Sequence, residues 1–177
     1  SLEQEARFDL NSEDLRFLRT YMSQLPRETR HPDYSDNPDN YCKFFMYGDD
    51  NSAEIPDHIR IFNKIGLAYG FCIDNAYIVD FKENIEFMLT AVIYVNENNR
   101  LNDGIYEYET VAFPFLGSGG RDADVVGGTP PGYHRAAFHD AGDFLASDRG
   151  QVRGLLGFLA VGVVADVSHL DHRELPG

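Results

Sequence analysis

The chain has 177 residues, of which 43% are hydrophobic, enough for a globular protein with a buried core of one domain or slightly more. Its 15 Lys and Arg against 29 Asp and Glu leave a formal net charge of -14, which argues against nucleic acid as a partner, because a phosphate backbone rewards cations. No basic, apolar leader opens the chain, and its longest apolar run, from Gly154, falls short of the about 20 residues a bilayer span needs.

The first element is a helix. Asn11 or Ser12 can cap it, Glu13 and Asp14 suit its positive end, and Pro26 marks its end. Leu15, Leu18, Met22 and Leu25 recur at helical spacing and predict one core-facing stripe. The stretch from Arg30 to Asn40 is a loop by its Pro, Asp and Asn content. A short second helix is expected over about Pro38 to Tyr47, presenting Phe44, Phe45 and Tyr47 to the core.

The period then changes to that of strands. "HIRIFNKIG", "AYGFCIDNAYIVDF" and "IEFMLTAVIYVN" predict three strands, the last two joined by a short hairpin connection at Lys82 to Asn84. In the third, Phe87, Leu89, Ala91, Ile93 and Val95 line one face, while Met88, Val92 and Tyr94 make the other largely apolar. That pattern predicts a central strand covered on both sides. "GIYEYETVAFPF" can begin a helix over the sheet. The fold class is α+β: helices first, then an antiparallel three-stranded block.

Near residue 116 the composition changes. Asparagine is absent after Asn102, Lys82 is the last lysine and Ile105 the last isoleucine, while twelve of the 16 glycines follow Leu116. Residues with AT-rich codons give way to residues with GC-rich ones. A change of reading frame or a chimeric join near Phe115 would leave this trace; the alternative is a natural Gly-rich linker with a short extra element. Residues 1–115 are therefore expected to form the domain, with 116–177 outside it and 117–131 extended and exposed. The chain also opens with serine instead of methionine, which points to a fragment or a processed product.

Few residues in this chain carry chemistry. Cys42 and Cys72 lack metal-type spacing and read as two lone thiols, a disulfide between them being the alternative. His169 and His172 have a spacing that can hold a metal on a helix, but no third ligand stands out, so no metal or cofactor is expected. Ser118 in "LGSGG" lacks the glycine two places earlier that a nucleophile elbow requires. That leaves "FNKIGLAYGF", where Lys64, one of only three lysines, and Gly66 interrupt an apolar strand.

"LRTYMSQLPRE", "IRIFNKIGLAYGF", "NAYIVDF" and "IEFMLTAVIYVNEN", in this order, resemble the C-terminal part of bacterial serine hydrolases related to class A β-lactamases and penicillin-binding proteins. The resemblance covers about residues 10–115. It implies a β-lactamase/transpeptidase-like fold, incomplete here, and places Lys64 and Gly66 on the Lys-Thr/Ser-Gly strand that edges the active site. There the lysine holds a substrate carboxylate and supports proton transfer, and the glycine admits the substrate backbone. The middle position is Ile65, which has no hydroxyl and departs from the pattern for penicillin-like substrates. No serine is followed three places on by lysine, so no catalytic residue is assigned in this chain. Ser35-Asp36-Asn37 matches a family loop motif in letters, but it lies fewer than thirty residues before Lys64 and reads as coincidence. The resemblance further implies an exported protein and, for the intact enzyme, a small-molecule or peptide-like substrate with an amide or ester bond. The alternative is a non-catalytic domain that holds a peptide or saccharide with Tyr34, Tyr41, Tyr69 and Tyr77.

Overall fold

Asn11 opens the first helix through a reciprocal cap: its side chain accepts from the N–H groups of Glu13 and Asp14, and the Asp14 carboxylate accepts from the N–H of Asn11. The computed structural model describes residues 8–127 and 158–164. Helix α1 spans Ser12–Ser23, and single 3₁₀ turns follow at Pro26–Glu28 and Asp39–Cys42. Strands β1 (Ile59–Ala68), β2 (Phe71–Asp80) and β3 (Ile85–Tyr94) come next. A π-turn at Tyr108–Ala112 leads into helix α2 (Phe113–Gly127), and β4 spans Phe158–Val164. The strands form one antiparallel sheet in the order β1-β2-β3-β4, so the expected three-stranded block is present and gains a fourth strand.

Both tight connections follow from local chemistry. Tyr69 and Gly70 have φ of 51° and 92°, the primed turn whose twist matches a two-residue hairpin. The Gly70 N–H donates to the Tyr108 hydroxyl at 2.8 Å, and its carbonyl accepts from the Val95 N–H at 2.7 Å. Residues 81–84 form the second turn, where the Asp80 carboxylate accepts from the N–H groups of Lys82 and Glu83.

The core lies between one face of the sheet, helix α2 and the segment around Phe44 and Phe45. Alternation places Ile59 and Ile61 of β1, Ala76 and Ile78 of β2, and Phe87, Leu89, Ala91 and Ile93 of β3 on this buried face. Three expectations need correction. The α1 stripe is only half employed: Leu25 is buried, but Leu15 and Leu18 stay 37% and 39% exposed. The helix over 38–47 is one 3₁₀ turn followed by further turns, because Asp39 and Asn40 are consumed by loop contacts to Ile55, Tyr47 and Asn51. Phe44 and Phe45 reach the core all the same. The second face of β3 is partly open, with Met88 41% exposed.

The chain path does not break at the change of composition. Helix α2 runs through Phe115 and Leu116, both buried, and residues 117–127 are helical instead of extended. Residues 128–131 lie outside the described residues. Packing explains the helix: Gly117 and Gly120 press directly on the loop at 45–49, and Arg121 holds both Asp49 carboxylate oxygens at 2.8 and 2.7 Å. A β-carbon at Gly120 would stand 2.3 Å from the Met46 backbone nitrogen. Gly120→Ala is therefore expected to cost about 1–3 kcal/mol, since backbone cannot yield as a side chain does. An unchanged urea midpoint would show that α2 does not seat on this loop.

Candidate functional site

Strand β1 pairs with β2 alone among the described strands, so its outer edge faces the α1 end and the 3₁₀ turn at 39–42. Alternation decides what each side chain does. Asn63 points to the buried face; Lys64 points away from it and is exposed, with its Nζ donating to the Ile65 carbonyl at 2.6 Å. Gly66 pairs with Ile73, and a β-carbon there would lie 2.7 Å from Ile73 Cγ2, so a larger residue would have to displace the Ile73 side chain.

A groove of about 380 Å³ runs along this edge, lined by Tyr34, Tyr41, Cys42, Lys43, Lys64 and Ile65 together with the end of α1. Lys64 is thus part of it, and Gly66 lies farther along the strand. Tyr34 and Tyr41 stand together on the groove with ring centroids 6.5 Å apart. Tyr69 sits instead at the hairpin turn, and Tyr77 bonds Glu86 on the sheet, so the four tyrosines do not share one surface. Ser35, Asp36 and Asn37 form a turn in which Ser35 N–H donates to Asp33 and the Asn37 amide to the Tyr34 carbonyl; they do not line the groove. Ser118 is a helical residue whose hydroxyl donates to the Pro114 carbonyl. His169 and His172 lie outside the described residues.

Beneath the groove lies a polar chain that the sequence reading missed. Lys43, only 3% exposed, donates to the Met22 carbonyl at 2.6 Å and to Asn63 Oδ1 at 2.7 Å. Asn63 in turn donates to the Cys42 carbonyl at 2.7 Å and to Asp74 Oδ1 at 2.9 Å. Asp74 is fully buried, and its Oδ2 has no hydrogen-bond partner. Burial pushes the Asp74 carboxyl up to about 6 against the pull of Asn63, the Phe45 backbone N–H and Lys43, and pulls the Lys43 ammonium down to about 8 against the pull of Asp74. The two thiols are free: burial raises Cys42 and pushes Cys72 up to about 12, so neither is an activated thiolate.

The readable signals for this chain were there. Lys43 interrupts the apolar run "CKFFM", and Asn63 and Asp74 occupy buried-face positions in otherwise apolar alternations. Among the described residues no group of three or more His, Cys, Asp or Glu is placed to hold a metal ion, and no helix is long and apolar enough to cross a membrane. Compared with known proteins, the chain matches no family model, no curated protein and no solved structure.

Proposed function

We propose that residues 10–115 are the part of a β-lactamase-related serine hydrolase that carries its Lys-x-Gly strand. The observation that carries the reading is Lys64, exposed on the outermost strand of an antiparallel sheet and lining a groove. An α+β order in which a helix precedes this strand and two antiparallel strands follow it fits the same reading. In this role the Lys64 ammonium attracts a substrate carboxylate and stabilises charge that develops during acyl transfer. The free edge of β1 meets the backbone of an extended, peptide-like substrate. Export from the cytoplasm belongs to the same proposal.

The nucleophile does not come from these 177 residues, since none of their serines has a lysine three places on to take its proton. The chain alone is therefore expected to gain no mass after incubation with a fluorescent penicillin or a fluorophosphonate. A covalent adduct on any of its serines would overturn this assignment of parts. Lys64→Ala is expected to change stability by less than about 0.5 kcal/mol, as for other exposed side chains, read as an unchanged denaturation midpoint. Reading the coding DNA on the 5′ side of Ser1 tests the ancestry itself: an in-frame Ser-x-x-Lys is expected there, and a stop codon directly upstream would sink it.

A second reading, a non-catalytic module for a peptide or saccharide, is favoured by Tyr34 and Tyr41, which hold two exposed rings on the same groove. It predicts ligand binding with no acyl transfer even when a Ser-x-x-Lys segment is supplied.

A further inference from the structure

A second groove, of about 480 Å³, shares Tyr41, Cys42 and Ile65 with the first but is not lined by Lys64. Its walls are largely apolar, built from Tyr41, Phe44, Ile65, Leu67 and Phe113. Phe44 and Phe113 are stacked, with centroids 4.3 Å apart and planes 22° apart. Leu67 and Tyr41 are 44% and 52% exposed, so part of this wall is open to a ligand.

Two acceptors in the wall are unspent. Asn40 is only 4% exposed, and its amide N–H groups donate to the Tyr47 carbonyl at 2.7 Å and to Asn51 Oδ1 at 3.0 Å. Its Oδ1 receives no donor among the described residues, although buried amide oxygens are normally bonded. Glu109 is exposed at the groove and has no ion pair among the described residues. Asp49 in the same wall is balanced by Arg121, which holds both its carboxylate oxygens. The uncompensated charge lining the groove is therefore that of Glu109.

Glu109 is also held in place. It belongs to the π-turn Tyr108–Ala112, where the Ala112 N–H donates to the Glu107 carbonyl at 3.2 Å; such turns are rare and recur at functional sites. Tyr108 pins the start of this turn, with its hydroxyl on the Gly70 N–H and its ring stacked on Phe113 at 6.3 Å. Amide and carboxylate oxygens accept N–H bonds, ring faces attract positive charge, and aliphatic walls take an apolar stem.

We propose that this groove binds a primary ammonium carried on a short apolar stem, with Glu109 and Asn40 Oδ1 as acceptors and the stem along Ile65, Leu67 and Phe113. The site goes beyond the hydrolase reading and stands without it, since it uses neither Lys64 nor Gly66.

Pentylamine, pentan-1-ol and pentanoate have one stem and three heads. Titrated against the full chain at low salt and followed by NMR of labelled Tyr and Phe rings, the amine is expected to bind at about 1 mM. The alcohol should bind about 5-fold more weakly, and the carboxylate not measurably. Ring signals of Tyr41 and Phe113 should shift, and those of Tyr69 should not. Glu109→Gln, at an exposed position, should remove most of the preference for the amine and leave the alcohol's affinity as it was. Leu67→Ala should weaken amine and alcohol alike by about 2- to 3-fold. N-acetyl-lysine methylamide matching pentylamine would assign the site to a lysine side chain; its exclusion, with pentylamine still bound, would assign a free amine. Pentanoate binding as well as pentylamine, or an undiminished preference for the amine in Glu109→Gln, would overturn the proposal. Loss of amine binding in Lys64→Ala would place the amine in the first groove and overturn it equally.

Discussion

Lys43→Met is expected to destabilise the protein by about 2–4 kcal/mol at pH 7, the scale for leaving two buried acceptors without their charged donor. The substitution strips the Met22 carbonyl and Asn63 Oδ1 of their donor and leaves Asp74, already short of one hydrogen bond, without the only ammonium near it. The loss should shrink on acidification, because Asp74 escapes the penalty by taking up a proton. In the native protein the pair has a distinctive pH signature. Between 3.8 and about 6 folded Asp74 keeps a proton that the unfolded chain has released, so its contribution to stability falls as pH rises. Between about 8 and 10.5 folded Lys43 has released a proton that the unfolded chain still binds, so its contribution rises with pH. The other groups that act on them are Cys42 and Cys72, the Glu28–Arg60 ion pair beside Lys43, and the backbone N–H groups of Phe44 and Phe45 toward Asp74. Denaturant midpoints of the wild type, Lys43→Met and Asp74→Asn at pH 5, 7 and 9 check this. Asp74→Asn should flatten the acidic limb alone. Equal midpoints for Lys43→Met and wild type at pH 7 would show that Lys43 is solvated.

Leu89→Ala is expected to cost about 2–5 kcal/mol, the range for a truncated core leucine. Leu89 is fully buried in the middle of β3, opposite Ala76 on β2, and the strand is held between two neighbours that cannot close the void. Met88, one position earlier, faces the other side of the sheet and is partly open, so Met88→Ala should cost under about 1 kcal/mol. Thermal or urea unfolding of both variants tests the register, because a slip of one residue would exchange the two results.

Much of the sheet was legible because its evidence is local. Three runs of strand-like residues locate β1 to β3 and the turn before Ile85, and alternation marks the buried face of β3; Tyr69 and Gly70, expected inside the second strand, are instead the turn that precedes it, with β2 starting at Phe71. The helix α1 was legible in extent through Asn11 but not in environment: helical spacing of Leu15 and Leu18 reports amphipathicity, not what is available to cover it. The candidate site was half legible. Lys64 announced itself as a cation in an apolar strand, whereas Lys43, Asn63 and Asp74 become one chain only when segments 20 and 11 residues apart are brought together. Composition misled at Gly117 to Gly127. Glycine content argues against a helix in solution, yet Gly117 and Gly120 are what allow this helix to lie against backbone at Met46 and Asp49.

The bond from the Gly70 N–H to the Tyr108 hydroxyl has a kinetic consequence. The β1-β2 hairpin closes through neighbours only a few residues apart, an event of microseconds, but its turn is clasped by a side chain 38 residues downstream. Local pairing therefore comes early and the clasp late, after β3 has returned past the turn and the π-turn has formed. In pulse-labelling exchange, the Gly70 amide should gain protection with the Tyr108 segment and after the amides in the middle of β2. Tyr108→Phe should leave the refolding rate nearly unchanged and accelerate unfolding, the mark of a contact made on the native side of the barrier.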